Sequence, residues 1–265
     1  MTLPLDPTLR TAWLELIAIA VLVAPVGVWA LHRRALFAAE VLPHAMLPAA
    51  GAAALLGLGI TFGGLVGALV GAAAIALLGR AGSADDRDLD SAATTVLGAA
   101  TGLGAILTIQ ASGTRGLERL LFGDPLAATT GSLLWTLAGA AAIGVLAIVG
   151  HRALLASTLG ADAARAAGVS TARVELLATI GLAVAVALAA GSVGAVLTFA
   201  LVVGPAAAAT RGGHRVGTQI LATAAIGLIV VTVGLTVSAN VDVPAGAAVA
   251  LAAGLPGLAA LAIRH

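Results

Sequence analysis

The chain has 265 residues, 60% of them hydrophobic and 9% charged, with a mean hydropathy of +1.12 and a formal net charge of +1. A soluble domain carries roughly a quarter charged residues, so a water-soluble fold is excluded, and a near-neutral balance supplies no field for nucleic acid. Cys is absent, which removes disulfides, thiolate metal sites and cysteine nucleophiles.

Apolar runs recur along the whole length, without the alternation of an outer-membrane barrel. The class is therefore all-α, a polytopic helical membrane protein with one transmembrane domain over residues 1–265. A bilayer core needs about 20 apolar residues per helix. On that measure spans fall near 12–31, 38–58, 60–79, 91–110, 132–150, 173–190, 193–210, 218–239 and 244–263. Short junctions near 59 and 191 leave the count at eight or nine. Every cation is Arg. With nine spans, ten Arg fall on one side and three (Arg10, Arg115 and Arg119) on the other. The richer side faces the cytoplasm, which puts the N-terminus outside and the C-terminus inside.

The first span, from about Trp13 to Leu31, is too long for a signal-peptide core and lacks a basic start. Pro25 and Gly27 invite a bend in it. Glu15 lies near its outer end; it either snorkels to the interface, the plainer reading, or faces a cavity.

The second span follows Arg33-Arg34 and carries Glu40 and His44, one helical turn apart and on one face. Ionisable groups inside a membrane are costly and by default functional. Carboxylate plus imidazole is a ligand set that first-row divalent metals accept. The face is read as a gate or transient binding site for a metal ion; the alternative is that both side chains merely bond a neighbouring helix. Pro43 and Pro48 remove backbone donors and predict a kink or interruption around His44.

Gly63, Gly67 and Gly71 in the third span have the spacing of close helix packing, as do Gly98 and Gly102 in the fourth. The charged run Arg80 to Asp90 reads as a solvated loop, with a helix start at Asp90-Ser91. Residues 112–131 form an outer amphipathic segment ending in the turn Gly123-Asp124-Pro125. In the cytoplasmic connection 151–173, Ala161 to Ala167 favours a short helix that Gly168 stops. It is either an inert connector or a docking element. Pro205 should distort its span. His214, beside Arg211 and Arg215, reads as a loop residue. Asp242 either caps the final helix or attracts cations at an outer mouth.

Five segments in chain order resemble the permease subunits of the zinc and manganese ABC importers, the ABC-3 family. They are Arg33-Arg34 through Glu40-x-x-x-His44-Ala45, Leu121-Phe122-Gly123-Asp124, Ala164-x-x-x-Gly168, Pro205-Ala206-Ala207-Ala208-Ala209 and Asp242-Val-Pro-Ala-Gly246. The resemblance implies a homodimeric permease in the cell membrane, two cytoplasmic ATP-binding subunits and an extracytoplasmic metal-binding protein. It implies that Glu40 and His44 contribute to the metal pathway. It also makes the segment about 157–170, with Asp162, Ala163, Ala164, Arg165 and Gly168, the coupling element for the ATPase. The family usually has Asp where Glu40 stands and a small residue where Pro43 stands.

No phosphate-binding loop is present and Lys is lacking, so the chain is expected to be no enzyme and to hold no permanent cofactor. ATP would be used on the partner, and the carried ion would be zinc or manganese. Three rivals remain: an ion-coupled secondary transporter with Glu40 and His44 as a proton relay, an ABC permease for a metal chelate, and an intramembrane hydrolase.

Overall fold

The computed structural model describes residues 7–33, 35–81, 86–158, 161–212 and 215–262. Arg34, His214, Arg264 and the middle of the 80–90 loop lie outside the described residues. Among those described there are eleven α-helices and one 3-10 turn, and no strand.

Helix α1 (Pro7–His32) is the axis of the bundle. It packs against α6 (Thr130–Thr158), α8 (Thr171–Val193), α9 (Ala195–Thr210) and α10 (Val216–Val241). Leu16, Ile19, Leu22 and Val23 fill the centre of the core. The helix runs through Pro25 without interruption. Gly27 serves a close approach, because a Cβ there would strike the Val202 carbonyl of α9. Pro205 likewise sits inside a continuous α9, where neighbouring Gly204 lies against the Ala253 carbonyl of α11 (Ala245–Ala262).

The second span is broken between its two prolines. Helix α2 (Leu36–Ala45) ends, Met46 makes a turn, and α3 (Leu47–Leu55) begins with Pro48 in its first turn. Pro43 and Pro48 offer no N–H to the carbonyls of Ala39 and His44, four residues earlier. Two neighbours hold the broken helix. Helix α4 (Ile60–Ala81) lays Gly63 against Ala49 and Ala53, Gly67 against Met46, and Gly71 against Ala45. Helix α5 (Asp86–Phe122) brings Gly104 against Leu47 and accepts Gly51 beside Thr108.

Gly98 and Gly102 behave differently, since a Cβ on either would meet nothing within 4 Å. The packing expected of them is absent, because among the described residues no helix stands opposite. α5 also starts at Asp86 rather than at Asp90, and its course is broken at Gly113 (φ 70°). The stretch beyond Gly113 leads through Gly123 (φ 74°) into the 3-10 turn Pro125–Ala127. Thr129 and Ser132 then exchange hydrogen bonds, with each backbone N–H donating to the other's hydroxyl at 3.0 and 3.1 Å. This is a capping box that starts α6.

Seven helical stretches are long and apolar enough to cross a bilayer, and Ile60–Ile75 and Ala195–Thr210 are shorter apolar helices. Large apolar side chains cover the outside, among them Trp135, Ile148, Val149 and Leu251, each at least 65% exposed. Such a surface suits lipid rather than water.

Candidate metal pathway and the polar cavity beside it

Glu40 and His44 occupy one face of α2, together with Phe37, and all three are half-buried. The opposite face, Ala39, Val41, Leu42 and Ala45, is buried. The pair therefore does not point into packed protein. The His44 Nδ1–H donates to the Glu40 carbonyl at 3.0 Å. A carbonyl can only accept, so Nδ1 carries the proton and the Nε2 lone pair is left outward, the form in which imidazole binds metal. Among the described residues the Glu40 carboxylate makes neither a hydrogen bond nor an ion pair, and no ion pair joins it to His44. Both donors stay open. Among the described residues no group of three or more His, Asp or Glu comes together. One chain thus places one carboxylate and one imidazole on a half-buried face.

A second polar feature lies further along the same broken helix. A cavity of about 330 Å³ opens between α3, α5, the 3-10 turn, α6 and the end of α8. Gly51, Thr108, Ser132 and Ser192 line it, with Arg119 and Asp124 at its exposed mouth. Behind Ser132 and Ser192 stands Glu15, 0% exposed. Its Oε1 accepts a hydrogen bond from the Thr136 hydroxyl at 2.8 Å, whereas Oε2 has no partner. Snorkelling is thus overturned: Thr136 and the hydroxyls around it give this carboxylate a place in the core.

At the other end of the bundle, α7 (Ala161–Ala166) is a single helical turn and a half. Gly168 (φ 69°) closes it, its N–H donating to the Arg165 carbonyl at 3.0 Å. Ala164 is fully buried and anchors the turn against α6 and α8. Asp162 and Arg165 are exposed and paired at 2.6 Å, and Ala163 lies between Asp162 and the anchor. Just upstream, the Arg33 guanidinium donates to the Ser157 hydroxyl at 2.9 Å. That bond ties the corner before α2 to the end of α6. Sequence reasoning missed it, since 124 residues separate the partners. The His32 Nε2–H donates to the Gln219 Oε1 at 2.6 Å in the same region.

Asp242 lies in the α10–α11 turn. It ends α10 in the left-handed region (φ 54°) instead of capping α11, which begins only at Ala245. Its side chain is exposed.

An apolar helical bundle with its second span broken at Met46 has the architecture of a multi-pass permease of the cell membrane. The chain belongs to the ABC 3 transport family, whose pattern it matches over residues 5–264. It is 27% identical over 246 residues to the manganese transport system membrane protein MntC of Halalkalibacterium halodurans, covering 92% of this chain and 83% of that one. It is 24% identical to the manganese import system permease protein ScaB of Streptococcus parasanguinis, over 92% of this chain and 86% of that one. The solved PsaBC from Streptococcus pneumoniae, in complex with a Fab, superposes with a TM-score of 0.88 at 25% identity, over 98% of this chain and 93% of that one.

Proposed function

We propose that the chain is the membrane-spanning permease subunit of an ATP-driven importer of divalent transition metal ions, with manganese as the carried ion. The carrying observation is that Glu40 and His44 keep a carboxylate and an imidazole Nε2 open on one face of a helix broken between them and α3. Mn²⁺ accepts both ligand types, and two relatives are named for manganese transport. Pairing of two copies about a twofold axis doubles the donors to four. Those four hold an ion loosely enough to pass on, unlike a closed structural site.

Orientation follows the Arg count, with the N-terminus outside. The segment about 157–170 then faces the cytoplasm. Its exposed Asp162 and Arg165 meet an ATP-binding subunit, while buried Ala164 and the Gly168 turn hold the element in shape. ATP-driven closure of those subunits displaces α7, and the Arg33–Ser157 bond passes the displacement to the corner from which α2 starts. An extracytoplasmic binding protein delivers the ion to the opposite end, where Asp242 adds negative charge near the mouth.

The test is manganese uptake by cells expressing the complex. Glu40→Ala and His44→Ala should each lower uptake by at least about tenfold at unchanged expression, and Glu40→Asp should retain most of it. Near-normal uptake by both alanine variants would remove this reading.

A further inference from the structure

The cavity between α3, α5, α6 and α8 opens in front of Glu15. Two buried oxygens, one in its wall and one behind it, call for an occupant. The Glu15 Oε2 is fully buried without a hydrogen-bond partner, and so is the Thr108 Oγ1, on a side chain 2% exposed that lines the cavity wall. Burying polar oxygens unpaired costs a few kcal/mol each, and a cavity with room for several waters, lined in part by hydroxyls, is where a partner for Thr108 can sit.

The donor set defines the chemistry. Ser132 and Thr136, one turn apart on α6, and Ser192 at the end of α8 surround the carboxylate. The Thr136 hydroxyl spends its proton on Glu15. Apart from Arg119 at the mouth, the polar side chains lining the cavity offer oxygen, with no imidazole or thiol among them. Oxygen-only sets suit hard cations such as Mn²⁺, Mg²⁺ and Ca²⁺ and are poor for Zn²⁺. Arg119 and Asp124 at the mouth carry opposite charges, so Glu15, ionised when a cation sits in front of it, sets the sign inside. A buried charge is weakly screened and acts across the whole cavity.

The position is also informative. Gly51 in the cavity wall lies seven residues beyond His44 on the broken helix, on the order of 10 Å at 1.5 Å per residue. We infer that this cavity is a second cation site. There a hard divalent ion, still partly hydrated, rests on hydroxyl oxygens backed by the Glu15 carboxylate before it reaches Glu40 and His44. The inference deepens the importer reading and rests on it for the direction of travel.

The test uses Mn²⁺ itself as the probe, by electron paramagnetic resonance on the full chain in lipid nanodiscs. A chain carrying Glu40→Ala and His44→Ala together should still bind Mn²⁺. Adding Glu15→Gln should weaken that binding at least tenfold, and Zn²⁺ should displace it poorly. Loss of all binding in the double variant, indifference to Glu15→Gln, or preferential displacement by Zn²⁺ would each overturn the inference. The importer reading would survive any of these, since uptake by the single Glu40 and His44 variants decides it separately. Should Glu15→Gln fail to fold, Thr108→Val and Ser192→Ala, on the cavity wall, carry the same comparison.

Discussion

Gly123 and Gly194 lie backbone against backbone where the end of α5 crosses the α8–α9 turn. A Cβ on Gly123 would strike the Val193 carbonyl, and a Cβ on Gly194 would strike the Gly123 nitrogen. Both have positive φ, 74° and 82°. Gly194→Ala therefore combines a main-chain collision with a backbone region that is almost confined to glycine, costing about 1–3 kcal/mol for the conformation alone. Gly168→Ala has a similar φ of 69° but open space around it, and should cost only about 1–2 kcal/mol. Thermal unfolding in detergent, followed by Trp emission, should rank Gly194→Ala well below Gly168→Ala.

The two glycine stripes make a second contrast. Gly67 on α4 faces Met46, the residue at the break between α2 and α3. Gly67→Val should push α4 off that break and lower stability by about 1–3 kcal/mol, the range for overpacking. Gly98→Val, on the open side of α5, should leave the unfolding temperature of the isolated chain nearly unchanged. Equal losses for the two variants would contradict the packing described.

Local chemistry explains what could be read from residues in order. Runs of about 20 apolar residues mark helices wherever they fall in a bundle, and the nine runs correspond to α1, α2 with α3, α4, α5, α6, α8, α9, α10 and α11. The interruption at Met46 follows from prolines on either side of it, and the stop at Gly168 from glycine's tolerance of positive φ. Glu15 was not legible. Its hydroxyl partner Thr136 lies 121 residues away, and a lone carboxylate near a span's end reads the same whether it reaches water or a buried polar pocket. Gly98 and Gly67 share a spacing, and only the helix opposite separates them. The open face of Glu40 and His44 was legible as an i, i+4 pair. The orientation of the imidazole was not, because it is fixed by a bond to a main-chain carbonyl.

The Thr136 hydroxyl is the hydrogen-bond donor seen on the Glu15 carboxylate. Thr136→Val keeps the shape and removes the donor, leaving a buried charged group short of its partner. The expected loss is about 1–3 kcal/mol, and Thr136→Ser should recover most of it. Both are read from thermal unfolding, and a neutral Thr136→Val would mean that water already satisfies the carboxylate.

The Arg33–Ser157 bond gives the last prediction. It joins the corner before α2 to the segment that carries α7, so it stands between the proposed ATPase contact and the proposed metal ligands. It is part-buried and involves a charged donor, which makes it worth about 1.5–3 kcal/mol. Ser157→Ala removes the acceptor and touches neither Glu40 nor His44. Ala164→Arg instead forces a charge into the fully buried anchor of α7 and should dissociate the ATP-binding subunit. Ser157→Ala should leave that subunit bound and hydrolysing ATP while manganese uptake per ATP falls several-fold. Reconstituted vesicles, with hydrolysis and uptake measured together, separate the two outcomes. If uptake per ATP is unchanged in Ser157→Ala, the displacement of α7 reaches α2 by another route, through the packing of α8 against α2.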